Sequence, residues 1–210
     1  ITEETVKKGE KNYYDKDDFE AYKRIPIYID SPMAIKATQM YEKNSELFND
    51  KTKKSILEGD NPFRFSNIRY IESAEESKTL NKTNYPKVII SASGMADAGR
   101  IRHHLKHNLW NPKNTILFVG YQANGSTGRR ILDGVKEINI LGEPIQVKAQ
   151  IEEIQGLSAH ADKNMLLDWV KNFKNKPKKI FLVHGEIEAL EEMKIELKKR
   201  FNIEADITKF

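Results

Sequence analysis

Cysteine is absent from all 210 residues. That excludes disulfides and thiolate metal sites and makes a reducing cytoplasm the default compartment. Histidine is scarce, with five in the chain. No H-x-H or H-x-x-E-H-type cluster occurs, so the chain does not complete by itself the roughly three protein ligands of a catalytic zinc. No apolar run reaches the roughly 18–20 residues of a membrane span. The opening 24 residues, ITEETVKKGEKNYYDKDDFEAYKR, are too charged for a secretory signal. They begin without Met, which reads as a piece of a longer protein. Neither a G-x-G-x-x-G opening a helix nor a G-x-x-x-x-G-K-[ST] is present, which leaves an unrelated nucleotide-binding α/β protein with little support.

What the chain does contain is ordinary for a globular domain with a real core: 39% hydrophobic and 31% charged residues. The net charge of +4 says little, but its distribution says more. Residues 91–130 hold Arg100, Arg102, Lys106, Lys113, Arg129 and Arg130 against the single acid Asp97. Such a block, interleaved with glycine turns, is either a solvated face or suits a phosphate backbone.

Four short apolar runs read as buried strands: IPIYI (25–29), KVIIS (87–91), TILFVG (115–120) and KIFLVH (179–184). Helical patterns follow most of them. Asp162 is placed to cap a helix whose apolar stripe is Leu166, Trp169, Val170 and Phe173. Beyond His184 a second stripe runs through Ile187, Leu190, Leu197 and Phe201, with Lys194 as its polar interruption. The charged stretch at 41–62 reads as a helix running into a surface loop. Repeated strand–turn–helix units predict an α/β fold with a mainly parallel sheet flanked by helices.

The turns after the strands are alike: DSPMA (30–34), SASGMADAGR (91–100), GYQANGSTGRR (120–130), GLSAHAD (156–162) and VHGE (183–186). Each is small, polar or glycine-containing and leads to an expected helix start, where free amides and the helix dipole favour anions. Any single turn of this kind is explained by tight turning alone; five together predict a phosphate-binding cleft at the carboxyl ends of the strands.

His160 and His184 sit at two such corners. A right-handed crossover would set them on neighbouring strands facing one cleft, whereas either one alone is as readily packing or a local cap. In HHLKH (103–107), His103 and His107 share a helix face, but without a third ligand nearby a surface or RNA-facing role is preferred to metal binding.

The motifs IPIYIDSPMAIKAT, ESAEESKTLN, VIISASGMADAGRIRHHLKHNL, NTILFVGYQANGSTGRRILDG, GLSAHAD and FLVHGE resemble the β-CASP half of metallo-β-lactamase-fold RNA nucleases. That group includes RNase J and the nuclease subunit of the polyadenylation machinery. The style of the motifs is bacterial or archaeal. The resemblance implies a β-CASP domain over residues 1–150, with 1–24 as a charged lead-in. It also implies a carboxyl-terminal segment of a metallo-β-lactamase (αββα) domain of the RNA-metabolising type over 151–210. It further implies hydrolysis of RNA phosphodiester bonds with two Zn2+ ions in the full-length enzyme. His160 would be the catalytic acid and His184 a zinc ligand, where DNA-acting relatives tend to carry valine.

Ser31, Ser93, Gly94 and Ser158 would line the RNA groove by the same resemblance. Arg100, Arg129 and Arg130 are the electrostatic candidates for phosphate, with structural ion pairing the alternative for Arg100 and Arg130. The family's H-x-H-x-D-H signature is not in this sequence, nor is the acid that orients His160. The expected partners are therefore RNA and the amino-terminal lactamase part, with no membrane and homodimerisation left open. The isolated piece is expected to be inactive. The competing reading is a non-catalytic RNA-binding or scaffold module.

Overall fold

The computed structural model describes residues 25–154, 156–157 and 160–208. Both the charged lead-in and Ser158 lie outside these. The chain divides into two compact units that meet between residues 155 and 156. Among the described residues no helix is long and apolar enough to cross a membrane.

The first unit opens with β1 (Ile27–Asp30), followed by α1 (Pro32–Lys43), a 3₁₀ turn at Ser45–Leu47, α2 (Asp50–Leu57) and β2 (Ile68–Tyr70). The chain then forms α3 (Ala74–Leu80) and returns as β3 (Val88–Ser91). β1 lies between β2 and β3, parallel to both, with Ile27 paired to Ile68 and Val88. Parallel neighbours need crossovers of this length, and helices supply them. The helix starts follow from local chemistry. Ser31 caps α1, Pro32 occupies its first turn and Asn49 caps α2. Ser73 and Glu76 form a reciprocal capping box at α3.

α4 (Ile101–Asn108) leads to β4 (Thr115–Val119), α5 (Thr127–Leu132), the antiparallel hairpin β5 (Glu137–Ile140) and β6 (Glu143–Gln146), and β7 (Gln150–Ile154). The expected sequence boundary at 150 coincides with the start of β7. That strand is parallel to β4 from Gln150 to Ile154 and so stays with the first unit. Leu105, Leu109, Phe118, Ile131, Ile138 and Ile140 form the buried core here. Full burial of each such side chain is worth about 1.5–3 kcal/mol.

The second unit contains α6 (Lys163–Lys171), β8 (Lys179–Leu182), α7 (Ile187–Phe201) and β9 (Glu204–Ile207), with β8 and β9 parallel. Its core is Leu167, Val170, Leu197, Ile203 and Ala205. The stripe expected on α6 is rotated: Leu167 replaces Leu166 in the core, and Trp169 is 64% exposed, its ring edge on Phe173. On α7, Leu197 is buried and Phe201 packs beside it, but Ile187 is exposed.

A buried polar cluster ties the first sheet to its helices. Asp30, with no exposed surface, ends β1. Its Oδ1 accepts from Arg100 Nη1 at 2.6 Å; its Oδ2 accepts from Ser77 Oγ and His104 Nε2, both at 2.6 Å. Arg100 also donates to the carbonyls of Ile71 and Glu72. β1, α3, α4 and the exit of β2 therefore converge on one carboxylate. Removing one partner of such a buried pair costs about 3–5 kcal/mol.

Burial by itself pushes the Asp30 pKa up, but the bonds from Ser77, Arg100 and His104 together hold it below the ordinary carboxylate value. Burial is also the largest influence on His104 and pulls its pKa down, outweighing the upward pull of Asp30. Both groups thus bind protons less readily folded than unfolded, so acid destabilises the fold. The imidazole contributes as pH falls below about 6.5, the carboxyl only below about 3.9. We expect the urea midpoint to decline between pH 7 and pH 5. His104→Gln, which keeps an N–H for Asp30, should be less stable at pH 7 and should flatten that decline. An equally steep decline in the variant would remove His104 as its cause.

The loop after β3 turns back on itself at Gly99, whose φ is +77°. A Cβ there would sit 2.4 Å from the Ala92 carbonyl oxygen. Gly99→Ala should cost more than about 1 kcal/mol in urea unfolding, since both the backbone region and the close approach to Ala92 oppose it. A neutral result would mean that the loop has another low-energy path.

Candidate functional site

β1 and β3 are adjacent and in register, with Asp30 opposite Ser91, so the two motif loops leave the same sheet edge side by side. Ser91 Oγ donates to the Asp30 carbonyl at 2.9 Å. Ser31, Ser93, Gly94 and Arg100 are thereby gathered on neighbouring chain segments. Their roles differ. Ser31 is nearly buried, its Oγ accepting from Ala34 N at 3.3 Å. Ser93 Oγ is engaged within its own loop, bonding both the carbonyl and the amide of Ala98. Gly94 is exposed, and a Cβ there would meet open space. Arg100 spends its guanidinium on Asp30 and two carbonyls, which is the ion-pairing alternative of the sequence reading.

The loops at 91–100 and 120–128 are stapled together. Met95 Sδ accepts from Ala123 N, and Met95 O from Gly128 N at 2.9 Å. Asp97 Oδ1 accepts from Thr127 N at 2.9 Å, a bond that holds its carboxyl below the usual range. This corrects the expectation that these turns offer free amides to anions. At α5 the amides of Thr127, Gly128 and Arg129 go to Asp97, Met95 and Ser126. At α4 those of Ile101, Arg102 and His103 go to the Ala92, Gly99 and Arg100 carbonyls. Donors already used inside the protein do not serve phosphate. Arg129 pairs with Asp133 at 2.8 Å on the surface of α5, while Arg130 is exposed beside it.

His160 and His184 both belong to the second unit and are both exposed. Asp162 caps α6 as its sequence predicts, its Oδ1 accepting from Met165 N at 2.9 Å, and so fixes the helix two residues beyond His160. His184 follows β8 with φ +58°, a left-handed conformation that costs a residue with a Cβ about 1–2 kcal/mol. Strain of that kind collects at functional corners. Within the first unit β7 pairs with β4, and within the second β8 pairs with β9. The residues present do not fit a zinc ion on their own. His184 offers one nitrogen donor, and among the described residues no three His, Asp or Glu side chains come together as a metal set.

Sequence reasoning missed the Asp30–His104 pair. Within HHLKH it singled out the outer histidines, yet His104 is the buried one, 5% exposed, with Nδ1 facing Asn81 at 2.9 Å. The signal present in the sequence was its place beside Leu105, a core residue, one turn after Arg100.

Residues 11–131 match the family model described as the Beta-Casp domain, and residues 144–208 that of a Zn-dependent metallo-hydrolase RNA specificity domain. Ribonuclease TTHA0252 of Thermus thermophilus is 40% identical over 167 residues, covering 80% of this chain and 38% of the relative. Transcription termination factor FttA of Methanosarcina mazei is 30% identical over 210 residues, covering 97% of this chain and 31% of the relative. FttA of Methanocaldococcus jannaschii is 35% identical over 167 residues, 77% of this chain and 26% of its own length. The chain thus spans between a quarter and two fifths of the curated relatives it matches. With more than half of its length inside one family model, the chain belongs to the β-CASP family of metallo-β-lactamase-fold RNA-processing nucleases.

Proposed function

We propose that this chain is part of a zinc-dependent ribonuclease and supplies its RNA-binding surface, one catalytic histidine and one zinc-ligand histidine. The observation that carries the reading is the placement of His160 and His184. Both are solvent-facing at the corners of the unit that matches the RNA specificity domain. A core histidine would be enclosed instead. The names of the relatives add a ribonuclease and transcription termination factors, both consistent with RNA as the substrate.

In this reading the full-length protein holds zinc, a Lewis acid, with His184 as one ligand and the remainder supplied elsewhere in the protein. His160 acts on the leaving side. When water displaces the ribose oxygen from phosphorus, the departing oxygen needs a proton, and an imidazolium N–H is suited to deliver it. Exposure lets the ring reach a bound strand. The Asp162 cap fixes the chain just beyond it, which limits where the ring can point. Such acid assistance is worth about 10²–10⁴ in rate.

In the full-length protein His160→Ala should lower kcat on single-stranded RNA by about 10²–10⁴ while leaving RNA affinity within a few-fold. Parallel loss of affinity and rate would point to binding rather than proton transfer. His184→Ala should reduce zinc per protein, measured by mass spectrometry; unchanged stoichiometry would remove its role as a ligand.

A further inference from the structure

The first unit holds a cavity of about 250 Å³ between α3 and α4. It is lined by Ser77, Lys78, Asn81 and Lys82 on one side and by Arg100, His103 and His107 on the other. Lys78 lies in the last turn of α3 and Lys82 four residues on, just past its end; His103 and His107 are four apart on α4. Each side of the cavity thus contributes one basic pair to the same space. All four side chains are exposed. Among the described residues, none of them has an ion-pair partner, whereas Lys106 on α4 is engaged by Glu143.

The floor is neutralised. Ser77 and Arg100 reach the cavity, and both bond to Asp30 behind it, so the Arg100 charge is matched. What remains is two uncompensated ammonium groups and two imidazoles around hydroxyl and amide donors. Of the acids of α3, Glu76 closes the capping box with Ser73, and neither Glu75 nor Glu76 lines the cavity. Cations collected without acids around a concave space raise the local concentration of anions. The volume is below that of a drug-sized pocket, which begins at about 300 Å³, and it suits a phosphate with part of its ribose. A compact tetrahedral anion has donors on two sides of it, from the lysines of α3 and the histidines of α4.

We propose that this groove between α3 and α4 of the first unit is a binding subsite for a backbone phosphate of RNA. It rests on the reading of the chain as an RNA-binding nuclease part. It adds a place on the first unit where the strand is held by charge, without base readout, so binding there is insensitive to sequence. The lysines provide the salt-sensitive attraction, and the histidine N–H groups fix the phosphate oxygens.

The test is the affinity of the whole 210-residue chain for a single-stranded RNA of mixed sequence across a salt series. Lys78→Gln with Lys82→Gln should weaken binding. The slope of log affinity against log salt should become shallower by about 0.7 for each phosphate no longer neutralised. Gln keeps helix propensity close to that of Lys, so the fold is preserved, and an unchanged urea midpoint checks this. His103→Gln with His107→Gln should weaken binding with a smaller change of slope. Inorganic phosphate should compete only at far higher concentration than RNA. If parent and lysine variant bind RNA with equal affinity and slope, the groove is not an RNA subsite and the nuclease reading stands. If free phosphate displaces RNA as effectively as RNA itself does, the groove serves a small anion and the proposal is overturned. If the parent chain binds no RNA, the underlying reading fails and takes the subsite with it.

Discussion

The Asp30 carboxylate is the constraint from which the first unit is organised. A fully buried charge costs several kcal/mol unless it is paired and hydrogen-bonded, and Asp30 has three donors at 2.6 Å: Arg100, Ser77 and His104. Because each comes from a different turn of chain, satisfying the charge also fixes where β1 ends, how α3 lies and where α4 begins. Arg100 extends the clamp to the exit of β2 through two carbonyls. The loop between β3 and α4 is then stretched between Ser91, bonded to the Asp30 backbone, and Arg100, bonded to its side chain. A motif loop held at both ends by one residue has little freedom to reposition.

Much of the architecture is legible in the sequence because its signals are local. The four apolar runs correspond to β1, β3, β4 and β8, and Asp162 caps its helix as the pattern predicts. The strands that leave no clear pattern are the short or polar ones. β2 has three residues, β7 (QIEEI) has two adjacent glutamates, and β9 follows a helix that ends on left-handed Asn202. The β5–β6 hairpin alternates buried Ile138 and Ile140 with exposed neighbours. Its turn, however, uses Leu141 and Gly142, both with positive φ. Leucine is not the residue such a turn advertises, so the usual Asn-Gly signal is missing. The α6 stripe is ambiguous by one position because Leu166, Leu167 and Trp169 are all apolar, and only packing against α7 and β9 decides between them.

The candidate site is less legible, for a physical reason. Residue type reveals what a side chain can do but not what already occupies it. Charge alone makes Arg100 and Arg129 phosphate ligands, whereas the fold engages them with Asp30 and Asp133. The middle histidine of HHLKH carries no mark of its role because its partner lies 74 positions away in sequence. No local pattern encodes a bond between the end of β1 and the middle of α4.

The occupied helix starts change how this protein can recognise a polyanion. Fixed amides at a helix start bind phosphate well because their direction is set by the backbone. At α4 and α5 those amides are spent on Ala92, Gly99, Arg100, Met95, Asp97 and Ser126. At α5 they lock the two loops to one another instead of reaching outward. In the proposed reading, phosphate contacts near α4 and α5 therefore fall to side chains, and side-chain cations act through charge and reach more than through fixed geometry. Lysine is suited to that role: its ammonium is a compact charge on a flexible stem that follows a strand of any sequence. The exposed Lys78 and Lys82 meet this description, whereas the clamped Arg100 does not.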